Sequence, residues 1–188
     1  MIINSDSVLL EEIQPKFFNK IIEWRNNPDF NRYLNQPYKL TLELQQKWYK
    51  SYLEDTTQGL FVLIDKKNSI PFGTMGWTDF NKNEKTCIAG RLLIGELKYR
   101  GSKELIEGAL AFYDYIHFGL GVDKLYAHIA NSNKESISWN KKWGFKENMS
   151  KVKYPDELFV NGLAQTEYVR DCNDYNRVRS IIIKLFNL

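Results

Sequence analysis

RLLIGELKYRGSKELIEGALAFYDYIHF, Arg91 to Phe118, is the stretch whose reading decides the fold. Arg91 to Leu97 is apolar enough for a buried strand. Lys98-Tyr99-Arg100-Gly101-Ser102-Lys103 is a basic turn. A long amphipathic helix comes next, with Leu105, Ile106, Ala109, Leu110, Tyr113 and Ile116 on its buried side. A glycine-containing turn that opens a helix leaves several backbone N–H groups without partners, and the helix dipole adds partial positive charge at the same point. Such a turn favours a phosphate or another anion. Gly119 and Gly121 end the helix, and Lys124 to Ala130 (KLYAHIA) reads as the next strand. Because a helical crossover leads into it, that strand lies parallel to the one before the helix.

Upstream, the pattern is different. Leu60 to Ile64 is continuously apolar, as a central strand covered on both faces should be. Polar turns at Lys66–Ser69 and Asn81–Glu84 separate it from Ile70–Asp79 and Thr86–Leu97, giving an antiparallel meander. Gly73 and Gly76 leave little side-chain bulk in the middle strand. Ser7 to Ile13 is a first short strand. Pro15 opens a helix carrying Phe17, Phe18, Ile21 and Ile22, which stops near Trp24–Pro28. Asp29 to Lys39 is too rich in Asn, Pro and Tyr for a regular element. Thr41 caps a helix over Leu42–Leu53, with Leu44, Trp48, Tyr49, Tyr52 and Leu53 inward. Downstream, Asn131-Ser132-Asn133 caps a helix over Lys134–Trp143, and Gly144-Phe145 begins another strand. Ser150 to Ala164 has no readable pattern, and Gln165–Asp171 with Tyr175–Phe186 is expected to form a closing hairpin.

Composition narrows the function. The 188 residues suit one domain, 1–188, with no repeat or linker. A net charge of +3 is too small to argue for nucleic acid. Cys87 and Cys172 lie far apart without metal-ligand spacing, which argues against a disulfide scaffold or a structural metal and suits a reducing compartment. No signal-peptide pattern opens the chain, and no apolar run approaches the ~20 residues needed to span a bilayer. A cytoplasmic location and no membrane partner are the expectations.

Two motifs carry a resemblance. LLIGELKYRGSKELIEGAL (92–110) and ANSNKESISWNKKWGF (130–145), in this order of elements, resemble the GNAT superfamily of acyl-CoA-dependent N-acetyltransferases over essentially the whole chain. The resemblance implies an α+β fold with a mixed, mostly antiparallel central sheet, a parallel splayed strand pair and flanking helices. It implies acetyl-CoA as cofactor, its pyrophosphate on the N–H groups of Arg100, Gly101, Ser102, Lys103, Glu104 and Leu105. Leu92, Leu93 and Ile94 would pair with the pantetheine amides, with an oxyanion donor near Ile94, and Asn133 would bond the pantetheine arm. Lys103 and Leu105 stand where the family pattern has glycine and a small residue; Lys103 can serve if its backbone is helical.

The early stretch WRNNPDFNRYL (24–34) is similar to two branches, the ribosomal-protein N-terminal acetyltransferases and the acetyltransferases of amino nucleotide-sugars. The second points to a small-molecule amine acceptor, with Trp24, Arg25, Asn26, Tyr33 and Tyr38 as candidate pocket residues. An amine with a pKa of ~10.4 is mostly charged at neutral pH, so a base helps. Glu96, His128 and Asp79 are the candidates. Asn140 occupies the position where many members carry a catalytic Tyr near the cofactor sulfur, and an amide cannot act as an acid. Tyr113, Tyr126, Tyr33 or water is then left to protonate the thiolate. A homodimer, with 150–164 as a lid or subunit contact, stays open. So do two rival functions, N-terminal acetylation of a ribosomal or other protein and non-catalytic acyl-CoA or partner binding.

Overall fold

The computed structural model describes residues 1–34, 36–149, 159–160 and 162–188. Strand β1 (Ile2–Asn4) pairs antiparallel with β2 (Val8–Glu12), an extra edge strand before the expected one. A 3-10 turn over Pro15–Phe17 leads into α1 (Phe18–Asn26). The connection after it holds one helical turn, α2 (Pro28–Asn31), where an irregular segment was expected. The cause is local: Asn27 accepts from the Asp29 N–H at 2.9 Å, and Pro28 fits the first helical position.

Helix α3 (Leu42–Glu54) is capped by Thr41 as expected. Its inner side is Gln45, Trp48, Tyr49 and Tyr52, while Leu44 and Leu53 are exposed. The aromatic run sets the rotation: Tyr49 and Tyr52 stack at 5.9 Å and Trp48 meets Tyr52 at 5.1 Å, so the flanking leucines turn outward.

Strands β3 (Gly59–Asp65), β4 (Ile70–Asn81) and β5 (Thr86–Ile94) form the antiparallel meander. β5 stops three residues short of Leu97, because the N–H groups of Gly95 and Glu96 both turn to the Phe72 carbonyl. Helix α4 (Lys103–Asp114) runs into a π turn, Tyr115–Gly119, and then β6 (Lys124–Ala130), parallel to β5. Helix α5 (Lys134–Lys142), β7 (Lys146–Glu147), β8 (Phe159–Val160) and β9 (Leu163–Asp171) come after it.

The last element corrects an expectation. Tyr175–Phe186 lies in a helix, α6 (Cys172–Phe186), not in a hairpin strand. Asp171 caps it by accepting from the Asp174 N–H at 2.8 Å, and Tyr175, Val178, Ile182 and Ile183 face inward at helical spacing. The β-branched run Ile181–Ile183 mimics a strand only locally. The hairpin that does form joins β8 to β9.

The sheet order is β1-β2-β3-β4-β5-β6-β9-β7, with β8 on β9. Among the described residues, only the β5–β6 pair is parallel. One face packs against α4, α5 and α6 around Phe61, Phe72, Phe112, Leu125 and Trp143. The other face carries α1 and α3 over Leu60, Val62 and Leu93. We call these the back and front faces. Among the described residues no helix is long and apolar enough to cross a membrane.

Candidate active site

The parallel pair comes apart. β5 and β6 are in register only at Thr86–Lys124, Cys87–Leu125 and Ile88–Tyr126, although both strands continue. Beyond Ile88 the main-chain edge of β5, including Leu92–Ile94, has no β6 partner, and β6 pairs on its far side with β9 along its whole length. The result is a V whose vertex lies at Ile88 and Tyr126.

The basic turn Lys98–Lys103 follows the open end of β5. Gly101 has φ +71°, and a Cβ there would meet nothing within 4 Å, so the backbone is accessible. Lys103 is the first helical residue, so it needs no glycine conformation. Ser102 caps α4 by accepting from the Leu105 N–H at 3.1 Å, and the Arg100 and Ser102 N–H groups donate to Leu97 and Tyr99 carbonyls. This removes Arg100, Ser102 and Leu105 from the expected donors. The N–H groups of Gly101, Lys103 and Glu104 have no acceptor among the described residues. Leu105 instead buries its side chain in the back core. The Arg100 guanidinium lies over the Phe30 ring at 5.4 Å and 3.9 Å from Glu135.

Two strand irregularities shape the vertex. Cys87 and Ala89 of β5 face the back core, yet Leu93 sits in the front core and Leu92 and Ile94 pack at the back. Side-chain alternation therefore slips by one between them, and the slip is at Arg91, with φ +54°. β4 repeats the device at Asp79, φ +55°, where its register with β5 shifts between Thr78 and Asn81. Both residues are non-glycine in left-handed backbone, a conformation that persists where the surrounding structure enforces it and that clusters at functional sites. Each bulge re-aims one charged side chain.

Around the vertex lies an open cleft of about 210 Å³, lined by Asp79, Glu84, Thr86, Cys87, Ile88, Tyr126, His128 and Glu167. His128 Nε2 lies 2.9 Å from Glu167 Oε2, and Glu167, only 7% exposed, also accepts from Asn148 Nδ2 at 2.6 Å. The carboxylate thus fixes the imidazole at the rim of the cleft. Burial pushes the Cys87 thiol up to about 12, so it is held protonated.

Other expected residues serve elsewhere. Glu96 is held by Lys20 at 2.8 Å and by Trp24 Nε1 at 3.3 Å, and the Lys20 bond first of all keeps its carboxyl below the usual range. Trp24 is 1% exposed and covers Gly95. Asn26 clamps the following loop, bonding both the Leu40 carbonyl and N–H at 2.8 Å. Arg25 is half-buried, its Nε donating to Gln36 Oε1 at 2.7 Å. Tyr33 Oη donates to the Ser132 carbonyl at 3.1 Å, tying the α2 segment to the loop before α5. Asn133 caps α5 through the Ser136 N–H, and Asn140 is buried with its amide on the Ser136 carbonyl at 2.8 Å. The segment 150–158 lies outside the described residues. Among the described residues no group of three or more His, Cys, Asp or Glu is gathered for a metal.

Glu167 and the bulge at Arg91 were missed from sequence. Glu167 matters only through the β6–β9 register, which pairs it with His128. Arg91 carried a signal, a charge at the start of the apolar run RLLI, but not the bulge that aims it.

A V between parallel strands, with free N–H groups at its mouth and a fixed imidazole at its vertex, defines an acyl-CoA-dependent transferase. Residues 7–146 match the Acetyltransferase (GNAT) domain family, and the chain belongs to it. It is an acetyl-CoA-dependent N-acetyltransferase. A spermidine N(1)-acetyltransferase from Vibrio cholerae serotype O1 (strain ATCC 39315 / El Tor Inaba N16961) is 25% identical over 157 residues, covering 83% of this chain and 85% of that protein. A crystal structure of spermidine N-acetyltransferase from Vibrio cholerae in complex with CoA and spermine has a TM-score of 0.76 at 18% identity, covering 92% of this chain and 99% of that one. Apo FdhC, a nucleotide-linked sugar GNAT, also gives 0.76 at 19% identity, covering 99% and 98%.

Proposed function

We propose that the chain acetylates the primary amine of a small molecule, an amino-sugar or nucleotide-linked amino-sugar, by direct attack on the thioester. The observation that carries this reading is the cleft at the strand vertex, with His128 oriented by Glu167 on its rim. Acetyl-CoA supplies the activated acyl group. The free N–H groups of Gly101, Lys103 and Glu104 would hold the cofactor's pyrophosphate, and the unpaired β5 edge would take its pantetheine amides.

Direct attack follows from the thiol. A covalent acyl-enzyme needs a nucleophile, and the cysteine in the cleft wall, Cys87, is held protonated by burial. The acceptor nitrogen forms its bond to the carbonyl carbon as the bond to sulfur breaks. His128 takes the ammonium proton, directly or through water, while Glu167 holds the ring in place. Asp79 offers a carboxylate to the amine before it is deprotonated. Water carries the second proton lost by the nitrogen to the leaving thiolate, since Asn140 is an amide and supplies no acid.

The small-molecule acceptor draws support from the size of the cleft and from the full-length likeness to FdhC. Purified protein given acetyl-CoA and separate panels of amino-sugars, polyamines and N-terminal peptides, with free-thiol release as the readout, tests it. Turnover confined to peptides overturns the reading.

A further inference from the structure

A second cleft, of about 370 Å³, adjoins the first, and Tyr126 lines both. The strand register makes them continuous. β6 and β9 pair Lys124 with Asp171, Tyr126 with Val169 and His128 with Glu167, and directly opposed residues of an antiparallel pair share a face. Leu125, Ala127 and Ile129 enter the back core, so these three rungs stand on the front face. β7 sets Lys146 opposite Val169 on the same side.

The rungs differ in chemistry. His128 and Glu167 form the first, which holds the base. The second is apolar, the half-buried ring of Tyr126 beside half-buried Val169. The third is ionic, with Lys124 and Asp171 exposed and Lys146 bonded to Asp174 at 2.8 Å. Successive rungs on one face are about 6.5 Å apart, so one ring spans from the base to the apolar floor. A floor of this kind, ending in donors and acceptors, suits a polyhydroxylated ring. Its C–H faces pack on Tyr126 and Val169 while its hydroxyls reach the polar rim.

Charge then decides which form of that ring fits. Asp79, Glu84, Glu167, Glu147, Asp171 and Asp174 line the joined clefts against Lys124 and Lys146, and Asp174 already engages Lys146. A diphosphate entering this lining meets a surplus of like charge, whereas an ammonium group is attracted. A linear polyamine shares that attraction, but it brings neither a ring for the apolar rung nor an acceptor for the Lys124 ammonium.

We propose that the second cleft seats the body of the acceptor, a hexose-type ring over Tyr126 and Val169 with its amine at His128, and that the lining selects the free amino-sugar over the nucleotide-linked one. This rests on the small-amine reading and narrows it.

The test gives the full chain acetyl-CoA with glucosamine or UDP-glucosamine and reads thiol release. Wild-type kcat/KM is expected to favour glucosamine at least tenfold; a ratio of one or less overturns the selection. Asp171→Asn removes a charge and keeps the cap of α6, because Asn caps as well as Asp. It should lower that ratio at least threefold, and an unchanged ratio overturns the role given to charge. Val169→Phe fills the floor and Val169→Ala strips it. The KM for glucosamine should rise at least tenfold in V169F and threefold in V169A, with the KM for acetyl-CoA unchanged. An unchanged glucosamine KM in either folded variant overturns the seat.

A calorimetric titration of glucosamine into protein saturated with coenzyme A reads the seat without turnover. No binding to wild type overturns it. Binding that weakens in V169F and V169A, without turnover of either sugar, would sink the reaction reading and keep the seat. Glucosamine turnover that is the same in wild type and both variants would do the reverse. Should circular dichroism show V169F misfolded, V169A, which adds no bulk, decides.

Discussion

His128 of β6 and Glu167 of β9 face each other across an antiparallel ladder, with the imidazole Nε2 2.9 Å from the carboxylate. Leu125, Ala127 and Ile129 alternate into the back core, which leaves His128 on the front face beside the cleft. A base held by an orienting carboxylate is a proton acceptor with a fixed tautomer, a contribution typically of about 10²–10⁴-fold in rate. His128→Gln is expected to lower kcat by about a hundredfold with little change in the KM for acetyl-CoA. Glu167→Gln should lose less, because the imidazole remains. Steady-state thiol release measures both, and full activity in H128Q would remove His128 from the mechanism.

At the mouth of the V, the turn is expected to act through its backbone as much as its charge. Gly101→Ala places a Cβ on a residue at φ +71°, at a cost of about 1 kcal/mol, and crowds the approach to the N–H groups. Arg100→Glu reverses the charge beside them. Each change should weaken acetyl-CoA binding several-fold, and it should shrink the thermal stabilisation that the ligand gives the wild type. An unchanged calorimetric affinity in both variants would move the phosphate site elsewhere.

How far this arrangement was legible from sequence differs by element. The crossover Arg91–Ala130 could be read, because a helix-period pattern between two apolar strands leaves one parallel solution. Thr41 and Asn133 could be read as caps, since capping is a local side-chain-to-backbone bond. The faces of β5 past Gly90 could not, because a single left-handed residue shifts alternation by one and leaves no mark in the pattern. Glu96 looked like a base beside the cofactor turn, yet Lys20 and Trp24 engage it from a helix 72 residues away in the chain. Ile181–Ile183 reads as a strand until Asp171 is seen to start a helix ten residues earlier.

Trp24 and Gly95 make a separate prediction about stability. A Cβ on Gly95 would lie 2.2 Å from three atoms of the Trp24 indole, which is 1% exposed. Relief requires moving a buried indole whose Nε1 is bonded to Glu96, so Gly95→Ala should destabilise by about 1–3 kcal/mol, as overpacking does. Urea unfolding would register this as a lower midpoint at an unchanged slope. A midpoint equal to that of the wild type would mean that the indole moves freely.

The last prediction concerns acid. His117, 4% exposed, is bonded at Nδ1 to the Val122 carbonyl at 2.6 Å and at Nε2 to Arg170 Nη2 at 3.1 Å. Arg170 donates to Nε2, so the ring is neutral with its proton on Nδ1. Arg170 is itself 1% exposed, bonded to the Trp143 carbonyl and packed over the rings of Tyr113, Phe145 and Tyr175. Burial first, and then the Arg170 charge, hold the His117 pKa down at about 4 from its ordinary 6.5. The unfolded chain therefore takes up a proton near pH 6.5 that the folded chain refuses until about pH 4. Stability from this group is constant above pH 6.5 and falls as the pH drops toward 4, by about 3 kcal/mol in all. His117→Gln keeps a donor and an acceptor but no titration in this range. The difference in unfolding free energy between wild type and H117Q should thus shift by about that amount between pH 7 and pH 4. Parallel stability curves for the two proteins over that range would mean that His117 is already free to protonate in the fold.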